Sequence, residues 1–299
     1  MIDLRSDTVT KPDDAMREAA RDAAVGDDVY GEDPTVNELQ DRVADVLDTG
    51  AALLVPSGTM GNQVAVRTHT ERGAELLCER ESHIYRWELA GPAQHAGVQT
   101  RTVDGGERGV ISPDRIAATA DAADELGVRV HLDGARLFNA AVAHDVSAAD
   151  YAEHVTTVMC CLSKGLGAPV GSMLAGPEPI IEEARHHRKL FGGGMRQAGI
   201  VAAPGLAALS NRGRLAEDHR RADRLAAGLD RVDGLAVEPP ETNIVLVTTD
   251  RPAEQVLGRW RDGGVRASQF GEHTIRCCTH WDVTDDDVDG AIDAIRNAS

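Results

Sequence analysis

The sequence predicts an α/β fold, with a large domain over residues 1–240 built on a mainly parallel sheet and a small α+β domain over residues 241–299. Three observations predict it. Short apolar runs bounded by turn residues (AALLVPSG, VRVHLDG, TTVMCCLSKG, GSMLAGP) have the length and composition of buried parallel strands. Ala- and Arg-rich segments with helical periodicity lie between them, and that alternation gives a doubly wound sheet whose ligand site lies at the carboxyl ends of the strands. The 299 residues, 42% of them hydrophobic, are enough to bury a full core and a smaller second one.

Taken in order, Pro34 to Leu47 and Ile200 to Leu209 read as helices, and an amphipathic helix runs from about Asp218 to Leu229. After VEPPETN the pattern changes. From Thr242 the chain reads as a strand, a helix over Pro252 to Asp262, strands over Val265 to Gln269 and Thr274 to Thr279, and a helix over Thr284 to Asn297. Thr284 with Asp287 forms a capping box in which Asp replaces Glu, and it starts the last helix. No repeat or low-complexity linker separates the two parts, so they are expected to pack together.

Acidic residues number 49 against 31 basic ones, a net charge of -18. A nucleic-acid partner held through its phosphates calls for the opposite sign, and an anionic membrane surface would be repelled. Among the 31 basic residues only Lys11, Lys164 and Lys189 are lysines, which leaves 28 arginines. A GC-rich genome accounts for the Arg, but not for the surplus of Asp in runs such as Asp285, Asp286 and Asp287. The surplus favours a salt-rich cytosol, as in a halophilic archaeon, where surface carboxylates hold water and ions and their repulsion is screened. MIDLRSDTVT lacks a basic segment followed by an apolar one, and no apolar stretch approaches a membrane span, so a cytoplasmic location is expected. The five cysteines (Cys78, Cys160, Cys161, Cys277, Cys278) have neither zinc-site nor disulfide-framework spacing, and the adjacent pairs sit in apolar runs as small buried hydrophobes. No His, Cys and carboxylate set has metal-ligand spacing, so no metal is expected.

Three features carry chemistry. Lys164 follows the strand TTVMCCLS and is flanked by Gly165 and Gly167, which leave room for a flat ligand. An amine there suits imine formation with an aldehyde cofactor, because burial favours the free amine that this chemistry needs. A turn lysine more often pairs with a carboxylate, but that reading loses weight in a chain that has shed nearly all its lysines. Asp133 ends the apolar strand VRVHLDG, where a carboxylate can pair with a protonated pyridine nitrogen or cap the next helix. SGTMGN, residues 57–62, joins a strand to a helical run, so Ser57, Gly58 and Thr59 can cradle a phosphate at a helix N-terminus, or simply start the helix. Together they form an ordered set: phosphate cup, pyridine partner, amine.

LRSDTVTKP, GDDVYGEDPTVNELQ, VPSGTMGNQVA, ESHIYRWELAGPA, HLDGARLFNAA, LSKGLGAPVGSMLAG, RKLFGGGMRQAG and IRCCTHWDV together resemble the low-specificity L-threonine aldolase family over nearly the whole chain. The resemblance implies the type I fold of pyridoxal 5'-phosphate-dependent aminotransferases, with a mainly parallel sheet in the large domain. It also implies cleavage of β-hydroxy-α-amino acids such as L-threonine and L-allo-threonine to glycine and an aldehyde. By that resemblance Lys164 binds the cofactor aldehyde, Asp133 the pyridine nitrogen, and Ser57, Gly58 and Thr59 the phosphate. His83 stacks on the ring and is a candidate base. Ser6, Arg136 and Arg276 match positions near the substrate carboxylate. Tyr30, Lys189 and Arg196 match positions near the cofactor phosphate that line a site completed by a neighbouring subunit, which implies a homodimer or homotetramer. The structural readings of the same residues are a core histidine, surface ion pairs and a packing tyrosine.

One departure stands out. Between the His83 and Asp133 strands the family carries an extra strand with an Asn-Thr-His-Asn-like motif, whose histidine reaches the substrate hydroxyl. Here Asp133 follows His83 by only 50 positions and the motif is missing. Roughly 35 residues are lacking, about one strand–turn–helix unit. The sequence therefore predicts a pyridoxal phosphate site with weakened or altered aldolase activity. The alternatives are another pyridoxal phosphate enzyme, a β-eliminating lyase or aminotransferase, or a cofactor-binding remnant without catalysis. A non-enzymatic α/β protein would be colourless.

Overall fold

The computed structural model describes residues 1–105 and 112–298. Its strands are β1 (Ile2–Asp3), β2 (Ala51–Val55), β3 (Glu75–Glu79), β4 (Gln99–Val103), β5 (His131–Gly134), β6 (Thr157–Cys161), β7 (Ser172–Gly176), β8 (Leu235–Val237), β9 (Ile244–Thr249), β10 (Val265–Arg266), β11 (Ser268–Gln269) and β12 (Thr274–Cys278).

The central sheet has the order β2-β7-β6-β5. Strands β5 and β6 are parallel, while β7 runs antiparallel to both its neighbours, so β2, β5 and β6 share one direction and β7 alone is reversed. The sequence placed GSMLAGP among the parallel strands; that orientation is corrected here. Only the segment SKGLGAPVG and its flanks join β6 to β7, without a helix, and a parallel return needs a crossover of a dozen or more residues, usually helical.

Side chains alternate across this sheet with period two. Leu54, Val158, Cys160, Met173 and Ala175 enter one core together with Val36, Leu39, Ala202 and Leu209 from the helices Pro34–Leu47 and Gly199–Leu209. Leu53, Val55, Met159, Cys161 and Leu174 enter the opposite core, with Val64 of the helix Gly58–His69 and Ile181 of the helix Glu178–Leu190. Burial on both faces explains why these strands read as continuous apolar runs. The helix Pro34–Leu47 begins where the sequence places it, because Asp33 accepts from the backbone N–H groups of Thr35 and Val36, each at 3.1 Å.

A second core joins Leu4 near the N-terminus, Ala222, Leu225 and Leu229 of the helix Leu215–Leu229, and the inner faces of β9, β12 and the helix Asp285–Ala298. Its sheet is antiparallel, in the order β11-β12-β9-β8, and β1 pairs with β10 beside it. The capping box forms: Thr284 donates its backbone N–H to Asp287 Oδ2 at 2.9 Å, and Asp287 returns its own to Thr284 Oγ1 at 3.1 Å. Strands β3 and β4 pair parallel with each other, and among the described residues they hydrogen-bond to no strand of the central sheet. Residues Pro113–Glu125 form one helix. The neighbouring residues 106–111 lie outside the described residues. No helix among the described residues is long and apolar enough to cross a membrane.

All five cysteines are free thiols, and four are buried in the cores. Burial raises the thiols of Cys160, Cys277 and Cys278 to about 12. Titration of the native protein with a thiol reagent at pH 8 is expected to modify Cys78 rapidly and the other four only on unfolding. Rapid modification of three or more thiols in the folded protein would contradict this packing.

Candidate active site

Strands β2, β5 and β6 run in one direction, so their carboxyl ends open at the same edge of the sheet. After β2 the chain turns through Ser57 into the helix Gly58–His69, and Ser57 Oγ caps it by accepting from Met60 N–H at 3.2 Å. This helix lies directly on β6. A Cβ at Gly58 would come within 2.9 Å of Cys161 Sγ, and one at Gly61 within 2.7 Å of Met159 Cγ, so glycine sets the distance of approach at both positions. The outcome is an open helix N-terminus, with Ser57 and Thr59 exposed, set against the end of β6. Asp133 pairs in register with Met159. Lys164, half-buried, follows β6 by three residues.

Asp133 is exposed and held from two sides, Oδ2 accepting from Asn62 Nδ2 at 2.8 Å and Oδ1 from Ala135 N–H at 3.2 Å. The same Asn62 amide donates to Glu88 Oε1 at 2.9 Å. Since both carboxylates face the amide nitrogen, Asn62 Oδ1 must point the other way, where it lies 3.1 Å from His131 Nε2. That contact fixes a chain of tautomers. His131 carries its proton on Nε2, so its Nδ1 accepts from Thr157 Oγ1 at 2.9 Å, and Thr157 Oγ1 in turn accepts from His69 Nε2 at 2.7 Å. His69 Nδ1 is buried without a partner. Burial lowers the pKa of both imidazoles, that of His69 to about 4, with the neighbouring His131 and Arg129 acting in the same direction on His69. Both are neutral at pH 7.

His83 opens the short helix His83–Arg86, and its ring is half exposed with Nδ1 2.8 Å from Glu88 Oε1. His83, Glu88 and Asp133 place their ligand atoms within 4.8 Å of one another. Spacing in sequence did not reveal this cluster, because its members are brought together from two elements 50 positions apart. Its polar atoms are already joined through Asn62.

Arg136 is engaged along one edge of its guanidinium. Its Nε and Nη2 grip the fully buried Asp7 at 2.8 and 2.7 Å. Burial raises the Asp7 carboxyl, but the Arg136 charge and hydrogen bond, the Lys164 charge and Asn243 together hold it below the ordinary value. Lys164, Arg136 and the N-terminal segment thus form one charged cluster. Ser6 adjoins it, its Oγ 3.4 Å from Asp7 Oδ1. Arg276 lies on β12, Nη2 3.4 Å from the Arg5 carbonyl and its guanidinium 5.5 Å from the Phe270 ring centre, with Nε buried and unpartnered. Tyr30, Lys189 and Arg196 lie in a separate exposed patch, where Arg196 pairs with Asp27 at 3.2 Å. Gly194 packs near both Val29 and Lys189, and Gly193 lies directly against Met60, so the patch borders the Ser57–Thr59 turn.

A sequence model of the beta-eliminating lyase family matches residues 3–120 and 105–252. The chain belongs to the beta-eliminating lyase family. A probable low-specificity L-threonine aldolase 2 of Arabidopsis thaliana is 38% identical over 334 aligned positions, covering 96% of this chain and 94% of that protein. The low specificity L-threonine aldolase of Escherichia coli strain K12 is 38% identical over 321 positions, with 95% of each covered. A solved threonine aldolase of Leishmania major superposes with a TM-score of 0.83 over the full length of both chains at 18% identity, a likeness of fold.

In this lyase, sequence reasoning missed Asp7, Gln63, Glu88, His69, His131 and Thr157 as neighbours of the candidate site, and took Asn62 only as the last residue of the SGTMGN segment. The pairing of His83 with Glu88, five residues on within HIYRWELAG, was the available signal. His69 generates a pH prediction. Its folded pKa of about 4 lies below the unfolded value of about 6.5, so between these values the unfolded chain binds a proton that the fold refuses. Stability is complete above about pH 6.5 and falls by about 2 to 3 kcal/mol as pH drops towards 4, allowing for partial solvent screening. Denaturant unfolding of the wild type and His69→Gln across this range is expected to show a shallower loss in the variant, and equal slopes would contradict the assignment.

Proposed function

We propose that this chain is a pyridoxal 5'-phosphate-dependent aldolase that cleaves L-threonine, L-allo-threonine and related β-hydroxy-α-amino acids to glycine and an aldehyde. One observation carries the reading. A helix N-terminus, a carboxylate and an amine come together at one edge of the sheet, on three strands that run the same way, so a phosphate, a pyridine nitrogen and an aldehyde each have a partner there. The residues fit that cofactor: Gly58 leaves no side chain between the helix N-terminus and Cys161, and Asp133 presents an exposed carboxylate fixed by two donors.

Bound there, pyridoxal phosphate supplies the electron sink for the pair released when the Cα–Cβ bond breaks. The remaining work belongs to the chain. Lys164 Nζ is the amine for the cofactor aldehyde, Asp133 holds the proton on the ring nitrogen, and Ser57, Gly58 and Thr59 with the helix N-terminus hold the phosphate. His83 donates Nδ1–H to Glu88, which leaves Nε2 to take the β-hydroxyl proton. Arg276, with Ser6 beside it, suits the substrate carboxylate, and the unpaired buried Nε of Arg276 supports that use. Arg136, its Nε–Nη2 edge committed to Asp7, orients this end of the site. The exposed patch of Tyr30, Lys189 and Arg196 supports completion of the site by a second subunit, in a homodimer or homotetramer.

The same reading includes an internal deletion. The alignment with the Arabidopsis relative runs over 334 positions, 35 more than the chain has residues. The family match falls into two pieces that both include residues 105–120, as expected if two similar segments were fused there. Among the described residues β5 and β3 are both edge strands and the β3–β4 pair stands apart from the central sheet, which fits the loss of a strand between them. Its histidine would be lost with it, so hydroxyl recognition rests on His83. The acidic excess supports a salt-rich, halophilic cytoplasm as the working medium.

Steady-state assays of the wild type at molar KCl are expected to release glycine and acetaldehyde from L-threonine and L-allo-threonine. Turnover should be at least about tenfold below that of the Escherichia coli relative, and lower still in Lys164→Ala by about 10³ or more. Turnover equal to the relative on both substrates would contradict the cost of the deletion. Ammonia and a keto acid in place of glycine would assign β-elimination, and neither product would mark a remnant.

A further inference from the structure

Glu88 is a buried carboxylate whose side chain has no exposure, and among the described residues its ion-pair partner is His83. No arginine or lysine neutralises it there. Its other partners are neutral amides: Asn62 Nδ2 donates to Oε1 at 2.9 Å and Gln63 Nε2 to Oε2 at 2.5 Å. A buried anion satisfied only by neutral donors is costly unless a positive charge arises beside it, and the group able to supply that charge is the half-exposed imidazole of His83.

The backbone around Glu88 is also held in place. Leu89 and Ala90, directly after it, have φ of 54° and 57°, an uncommon left-handed pair of non-glycine residues. The turn is fixed by Gly91 N–H donating to the Glu88 carbonyl at 2.8 Å and Gln94 Nε2 donating to the Leu89 carbonyl at 2.7 Å. Without glycine at these two positions, the conformation persists because surrounding contacts impose it, and what it places is the carboxylate under His83.

We propose that Glu88 is a positioning residue that fixes His83 in the tautomer protonated on Nδ1 and provides the counter-charge when Nε2 takes up a proton, with Asn62 tying this carboxylate to Asp133. The proposal rests on the assignment of His83 to the reacting face made above. An isolated neutral imidazole carries its proton mainly on Nε2, which would present a donor to the substrate where an acceptor is needed. Glu88 reverses that preference by accepting from Nδ1. Through the shared Asn62 amide, the group below the ring face and the group at the ring nitrogen are set by one side chain.

The variants Glu88→Gln and Glu88→Ala separate hydrogen bonding from charge. Gln63 Oε1 is buried without a partner, so rotation of the Gln63 amide lets it accept from the amide nitrogen of a glutamine at 88, and Glu88→Gln can keep the network while losing the anion. The test reads the nitrogen shifts of 15N-labelled histidine in the full-length protein, before and after saturation with pyridoxal phosphate, with His83 assigned by its loss in His83→Asn. The wild type and Glu88→Gln are expected to show His83 protonated on Nδ1, and Glu88→Ala on Nε2. In steady state, Glu88→Gln is expected to lower kcat about 10- to 100-fold with KM within about threefold, and Glu88→Ala to lower kcat further. A wild-type His83 protonated on Nε2, or a Glu88→Gln enzyme with unchanged kcat, overturns the proposal. The tautomer does not depend on turnover. The expected spectrum in a protein that cleaves no hydroxy amino acid would overturn the aldolase reading and leave the role of Glu88 standing.

Discussion

The arrangement of the site depends on one primary amide. The two N–H groups of Asn62 go to carboxylates on different elements, Asp133 on β5 and Glu88 after the His83 helix, and its oxygen receives the proton of His131. Hydrogen bonds to charged groups contribute about 1.5–3 kcal/mol each, and turning this amide over would set an oxygen against two anions. The amide therefore has one orientation, and that orientation propagates. It fixes the proton positions of His131, Thr157 and His69 behind it, and it aims two carboxylates in front. Because Asn62 sits in the first turn and a half of the helix that begins at Gly58, one rigid element carries both this amide and the open helix N-terminus.

The sheet makes this possible by its directions. With β2, β5 and β6 aligned and β7 alone reversed, three carboxyl ends meet at one edge, and glycines at 58 and 61 let the helix settle onto β6. From the other side, Asp7 and Arg136 lock the N-terminal segment against this edge. Asn243 donates to Asp7 at 3.3 Å and to the Thr279 carbonyl at 3.0 Å, so the second core is tied to the same pair. Removing one partner of a buried ion pair costs about 3–5 kcal/mol, which makes the Arg136–Asp7 pair a structural requirement of this edge.

Much of the fold was legible because its signals are local. The helix Pro34–Leu47 announces itself by its periodicity, the last helix by Thr284 and Asp287, and the core strands by apolar runs covered on both faces. The signal for the reversal of β7 lay in its short connection to β6 and not in the strand itself, since a buried strand reads the same either way. In the site, Lys164, Asp133 and the Ser57–Thr59 turn were visible because strand ends followed by glycine are sequence features. The network behind them was not, because Asn62, Glu88 and His131 are ordinary polar residues until folding brings positions 62, 88 and 131 together. Arg136 illustrates the same limit: its type suits a carboxylate, but only the fold shows that its Nε–Nη2 edge is paired with Asp7.

The central claim is that one strand edge forms a cofactor site with Lys164 as its amine, and the scarcity of lysine makes it directly testable. The chain has only Lys11, Lys164 and Lys189. The purified protein is saturated with pyridoxal phosphate, reduced with borohydride, digested and analysed by mass spectrometry. The account predicts a stoichiometric pyridoxyl adduct on the peptide that contains Lys164 and none on the other two. An adduct confined to Lys11 or Lys189, or no adduct at saturating cofactor, would contradict it.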